Sequence, residues 1–320
     1  MQNPRGLIFS PSRKARPYDQ RESGDEIAWI DIVRGARECS EALDQQLGAR
    51  LHDRHLADIR NTTHPPFFDS TDEYDLLIVR AADPGAEPED TGTRSIALLV
   101  TANVIITIHD RDDATFDPLY ERLSTNARRS PLSTPVLLHL LLNEIIDRLL
   151  AMGEPVAQRL DILQTRLLDT RDPFDDWRLL MHMRTGLRTL AGRMARQRSV
   201  LDEWREQTLL PIDRNTEVRF NDLTEHLSRV EHQADVLQDD VDSLLNIYFA
   251  AASQRTNKVV QFLAVISAIF LPLTLIAGVF GMNFDHLPLL RTPWGAYGVL
   301  GGMAALGLLL WFWFKRNRWL

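Results

Sequence analysis

A single cysteine, Cys39, in 320 residues rules out an internal disulfide and suits a reducing compartment. No second thiol or nearby histidine accompanies it, so it is poorly placed to serve as a metal ligand or nucleophile. The opening stretch, MQNPRGLIFSPSRKARPY, lacks the apolar core of a signal peptide. Positive charge is also short, with 36 Lys and Arg against 44 Asp and Glu, a net of −8. Five bases and one acid lie from Asn257 onward, which leaves residues 1–256 at −12. So acidic a segment is a poor partner for nucleic acid and attractive to cations, although most of its carboxylates read as ordinary solvated surface. No phosphate-binding loop, nucleophile motif or cluster of metal ligands is present, and no enzyme class is suggested.

Charge is missing altogether from two stretches. Residues 259–280, VVQFLAVISAIFLPLTLIAGVF, and 294–314, WGAYGVLGGMAALGLLLWFWF, are each long enough to cross a hydrocarbon core of about 30 Å as a helix. Arg255 and Lys258 precede the first, and Lys315, Arg316 and Arg318 follow the second. The positive-inside bias therefore puts both termini in the cytoplasm and the short loop 281–293 outside. Trp311, Trp313 and Trp319 beside Lys315 and Arg316 read as an interfacial anchor for the second span.

The rest of the chain predicts an α+β protein. Strands are expected at IAWIDIV (27–33), DLLIVR (75–80), SIALLV (95–100) and NVIITIHD (103–110), with LIF near the N-terminus as an edge strand. Residues 81–93 are a loop or hairpin connection, helices are expected near 36–48 and 51–60, and the α/β domain (1–130) ends there. His52 and His55 have an HxxH spacing but read as caps or cover for these helices.

Residues 131–258 are helical. Thr134 is read as an N-cap with Pro135 at the first helical position. A second helix runs from about 172 to Glu206, and Pro211 ends the pattern. From Thr216 a strict rhythm appears: Phe220, Leu223, Leu227, Val230, Ala234, Leu237, Val241, Leu244, Tyr248, stepping by three and four. Gly and Pro are absent from Thr216 to Phe270, so one helix is expected to run from this seam into the first span. Inside the span a different line keeps the rhythm: Asn257, Val260, Ala264, Ser267, Leu271, Thr274 and Gly278. Small residues of this kind serve either close helix association or, with several copies around an axis, the wall of a conduit. Two spans alone cannot enclose one.

The stretch RTNKVVQFLAVISAIFLPLTLIAGVFGMNF (255–284), with the motif Gly281-Met282-Asn283 and the closing KRNRWL, resembles the CorA family of divalent cation channels. The match is dense over residues 215–320 and looser before, where WIDI, LHDRHLADI and LLIVR are similar to family landmarks. The resemblance implies a homopentamer shaped as a funnel in the inner membrane, with divalent metal ions as substrate and regulator and no prosthetic group. It implies that Asn283 forms an outer selectivity ring with Gly281 and Met282. Asn257, Val260, Leu263, Ser267, Leu271, Thr274 and Gly278 then fall at pore-lining or gate positions. RFNDLTEH (219–226) resembles a stretch that holds a regulatory metal, which points to Asp222, with His226 one turn on.

Asp285 adds a charge at the mouth. Where family members often read M-P-E-L, this chain has Leu287-Pro288-Leu289-Leu290, and the histidine beside Asp285, His286, suits a borderline metal such as zinc. A zinc transporter of the ZntB type is therefore the alternative to magnesium transport with cobalt and nickel. A membrane-tethered receptor is the alternative of another class.

Overall fold

The computed structural model describes residues 5–10, 15–18, 26–35, 43–44, 46–125, 131–169, 176–282, 294–317 and 319. Two compact units divide the chain at residues 245 and 246. The sheet and the helices after it belong to the first unit together, whereas the sequence pattern alone suggests a division at residue 130.

A seven-stranded sheet, ordered β2-β1-β3-β7-β6-β5-β4, forms the first unit's centre. Its strands are β1 (Arg5–Phe9), β2 (Arg16–Pro17), β3 (Ile27–Val33), β4 (Phe67–Ser70), β5 (Asp75–Ala82), β6 (Thr93–Val100) and β7 (Val104–His109). Among the described residues only β3 and β7 pair in parallel. Burial on both faces explains why β5, β6 and β7 read as continuous apolar runs instead of alternating ones. On one face Ile8, Ile30, Leu76, Leu99 and Ile106 pack with Leu43, Leu47 and Ile59, the last from helix α1 (Asp53–Arg60). On the other, Trp29 meets Phe116 and Tyr120, the latter in α2 (Asp117–Thr125).

LIF lies in β1, which is one place in from the edge and not at it. The two-residue β2 forms the edge. Gly6 makes this pairing possible, because a Cβ there would stand 2.7 Å from the Trp29 carbonyl oxygen and 2.8 Å from the Tyr18 Cβ. The expected connection at 81–93 is the loop of the β5–β6 hairpin, which closes at Ala82 and Thr93.

Three helices follow within this unit: α3 (Thr134–Ala151), α4 (Gly153–Leu168) and α5 (Trp177–Gln207). Ser133, not Thr134, is the N-cap of α3. Thr134 already lies in the helix, and its hydroxyl donates to the Ala102 carbonyl instead. At the α3–α4 junction the Gln233 amide lies over Gly153, so a Cβ there would displace that side chain. α5 is fastened to the sheet by Trp204, whose indole donates to Asp75 at 2.9 Å.

Helix α6 (Arg214–Phe280) is a single helix of 67 residues with Pro272 inside it, and α7 (Gly295–Arg316) follows. The expected seam is buried from Phe220 through Leu244, and Tyr248 is only partly covered. Phe220 packs against Trp204 of α5 and His139 of α3, and Arg198 of α5 reaches Ser228 and Glu231 of α6.

Candidate functional site

The apolar end of α6 and the whole of α7 are long and apolar enough to cross a membrane. Only 6% of each apolar window is covered, which is not how a core helix of a water-soluble protein is packed. Within this second unit the sides of α6 differ. Val265 is buried and Ile269, Pro272, Leu273 and Ile276 are partly covered, with Leu273 lying where a Cβ on Gly307 of α7 would touch it. Asn257, Val260, Leu263, Ser267, Leu271, Thr274 and Gly278 are all exposed, up to 70% at Leu271. Ala264, named by the rhythm where the family resemblance names Leu263, is exposed as well, so burial does not choose between them.

The covered residues Val265, Ile269, Pro272 and Ile276 keep a spacing of four, three and four along the helix. The exposed line is on the opposite side of the same helix. Its hydroxyls are internally satisfied, with Ser267 Oγ donating to the Leu263 carbonyl at 2.9 Å and Thr274 Oγ1 to Phe270 at 2.7 Å. The line therefore presents methyl and methylene groups more than free hydroxyls. Pro272 has no N–H to offer the Ala268 carbonyl, which frees that acceptor within the apolar segment.

α6 ends at Phe280. Gly281 N donates to the Ala277 carbonyl at 2.9 Å, and Met282 N donates to Val279 at 3.4 Å. A Cβ on Gly281 would stand 3.0 Å from the Ala277 oxygen, so a side chain at the first residue of the motif would crowd that carbonyl. Asn283, Asp285, His286 and 287–290 lie outside the described residues, as does Cys39.

On the seam portion of α6, Asp222 and His226 are one turn apart, His226 Nε2 standing 3.7 Å from Asp222 Oδ1. Asp222 is exposed and His226 mostly enclosed. Among the described residues no group of three or more His, Cys, Asp or Glu side chains is arranged to hold a metal ion. A residue the sequence did not single out stands nearby: His139 of α3 feels the charges of Asp222 and His226. Burial, with Arg219 beside it, holds its pKa below the usual imidazole value, and its Nδ1 and that of His226 are both buried without a hydrogen-bond partner. A lone histidine in an apolar helix carries no signal in sequence that would have brought it to Asp222.

The HxxH pair is accounted for otherwise. His52 caps α1, its Nδ1 accepting from Arg54 N, and buried His55 lies 2.8 Å from the Tyr74 hydroxyl and 2.9 Å from Asp69.

Residues 24–316 match the family described as CorA-like Mg2+ transporter protein. The cobalt/magnesium transport protein CorA of Thermotoga maritima is 26% identical over 273 residues, 84% of this chain and 77% of that protein. The complete structure of the CorA magnesium transporter from Methanocaldococcus jannaschii superposes with a TM-score of 0.85 at 21% identity, covering 100% of both chains. The structure of full-length CmaX gives 0.75 at 22% identity, over 98% of this chain and 97% of that one.

Proposed function

The chain belongs to the family of CorA-like Mg2+ transporter proteins, and from that membership we propose that it carries divalent cations, magnesium first, through a conduit built from copies of α6. The observation that carries this reading is the exposed line from Asn257 to Gly278, opposite the packed side of the helix. Several copies around an axis, five in the reading adopted here, can turn that line inward while α7 faces lipid. Residues 259–280 and 294–314 then cross the inner membrane, with 281–293 outside and both termini, including the tail 315–320, in the cytoplasm.

Asn283 is assigned the outer ring, with Gly281 and Met282 setting its backbone. Mg2+ gives up water reluctantly, and a ring of amides and carbonyls can hold it through its waters. Asp285 raises the local cation concentration at the mouth. An inside-negative potential of 100 mV drives a divalent ion inward with about 4.6 kcal/mol, twice the 2.3 for each charge. No other energy source is needed.

Uptake into liposomes under a membrane potential tests the proposal. Mg2+, Co2+, Ni2+ and Zn2+ are compared for the wild type and Asn283→Ala. Uptake that vanishes with the substitution is the expected result, with Mg2+ leading. Zn2+ leading would replace the magnesium reading by the zinc one, and no uptake of any ion at low internal metal would leave a tethered receptor.

For regulation, cytosolic metal is assigned to Asp222, with His226 beside it and the remaining ligands from a neighbouring copy. The bound metal holds the ring closed. When metal is scarce, repulsion between the acidic segments loosens it. Asp222→Ala is then expected to need several-fold more internal metal for closure, and an unchanged inhibition curve would remove Asp222 from this role.

A further inference from the structure

The base of the β5–β6 hairpin holds more buried positive charge than its acids neutralise. Arg80 on β5 is only 2% exposed. Its guanidinium donates to the carbonyls of Thr62 at 3.0 Å and His64 at 3.2 Å and to Thr93 Oγ1 at 3.0 Å, all of them neutral acceptors. Arg193 of α5 donates to the same Thr93 oxygen at 2.8 Å. Two guanidinium groups thus converge on one hydroxyl.

The acids within electrostatic reach are engaged elsewhere. Asp110 pairs with Arg34 at 2.9 Å and Asp83 with Arg94 at 2.9 Å. Among the described residues no carboxylate is bonded to Arg80 or Arg193. The strain registers on Arg80, whose pKa is lowered to about 10 by burial and by the charges of Arg193 and Arg34.

A second donor lacks an acceptor here. β4 pairs with β5 only as far as Ile78, so the Arg80 backbone N–H has no strand partner on that side. Gln197, one turn beyond Arg193 on α5 and fully buried, fills the gap, its Oε1 accepting from Arg80 N at 2.6 Å. That bond fixes the orientation of the amide and leaves Gln197 Nε2 buried with no acceptor. Buried charge is costly unless paired, and an unmet donor adds to the cost.

We propose that Arg80 and Arg193, with Thr93 between them, form a binding site for a small monatomic anion of the chloride type, entered from the partly exposed Arg193 side. Donors that converge on a single oxygen suit a point-like acceptor. The anion supplies the missing negative charge and cross-links β5, β6 and α5.

The test is thermal unfolding of the purified full-length chain in detergent, in chloride, bromide or gluconate at equal ionic strength. A saturable rise in Tm on the order of 2–4 °C with chloride or bromide over gluconate is expected. Arg193→Gln is expected to remove that dependence while melting in gluconate no lower than wild type, because it also relieves repulsion. Thr93→Val, which removes the hydroxyl between the two guanidinium groups, is expected to weaken the chloride response several-fold, and it keeps the test open where Arg193→Gln fails to fold. A bromide anomalous-scattering peak beside both guanidinium groups completes the support. Equal Tm in all three salts, or a wild-type response from Arg193→Gln, overturns the site. Neither readout involves metal uptake, so this inference fails or stands apart from the transport reading.

Discussion

Asp31→Ala is expected to destabilise the first unit by about 3–5 kcal/mol, the usual cost of removing one member of a buried ion pair. At roughly 2–4 °C per kcal/mol, the melting temperature of the full-length chain should fall by about 6–20 °C. Asp31 is 4% exposed and sits between three donors. Arg5 Nε reaches it at 2.7 Å, His109 Nε2 at 3.1 Å and the Thr107 hydroxyl at 2.5 Å, while Thr107 in turn accepts the Trp29 indole N–H at 3.0 Å. Alanine would take the acceptor from His109 Nε2 and the Thr107 hydroxyl and leave Arg5 with Asp117 alone.

The same network predicts a pH profile. Burial alone would raise the pKa of Asp31, but the hydrogen bond and charge of His109, with Thr107 and Arg5, hold it below the usual carboxylate value. Burial likewise opposes charge on His109, and Asp31 outweighs it, so the imidazole pKa is raised. A raised histidine stabilises fully below its ordinary value of 6.5, and that contribution is lost as pH rises through the folded value. A depressed aspartate stabilises above 3.8, and its contribution is lost as pH falls through the folded value. The difference in Tm between wild type and Asp31→Ala should therefore be largest between those two values and shrink on the alkaline side. A gap that widens from pH 6 to 9 would contradict the charged pair.

The second large effect concerns transport. Thr274→Phe is expected to reduce liposome uptake on the order of tenfold or more, because a phenyl ring on the exposed line would narrow the proposed conduit, whose width would control passage. Val279→Phe, about 140° round the helix from Thr274 at 100° per residue, should leave uptake within about twofold. Val279 is also exposed, at 42%, so the pair separates position on the helix from mere bulk. Equal loss from both, or from neither, would take the exposed line out of the pathway.

The strands at 27–33, 75–82, 93–100 and 104–109 were legible because each is a concentrated apolar run bounded by turn residues. β2 and β4 escaped notice because two or four residues hold no period. α2 went unread for a related reason: its buried side is only Leu119 and Leu123. α4 went unread too, merged into the helical run that starts at Thr134, because only the residue Met152 separates it from α3. The seam of α6 is legible from Phe220 to Leu244, since a three-four rhythm kept for seven steps is hard to produce by chance, and only its last expected member, Tyr248, is partly covered. The Asp31–His109 pair could not be read. Its members are far apart in sequence and meet only because β3 and β7 lie side by side in parallel. Arg80 and Arg193 were hidden in the same way. The line from Asn257 to Gly278 was visible as a pattern, but only the covering of Val265 and its neighbours distinguishes its side of the helix from the other.

Because α6 runs unbroken to Phe280, its apolar end is intolerant of changes in length. Surface loops absorb an extra residue by bulging, but a helix hands it on as rotation. One residue added after Ser267 turns Leu271, Thr274 and Gly278 by 100° away from Asn257 and Val260, and the exposed line splits in two. Seven added residues restore the bearing to within about 20° but lengthen the span by about 10 Å. Natural or engineered variants of this protein should therefore keep residues 257–278 free of insertions and deletions.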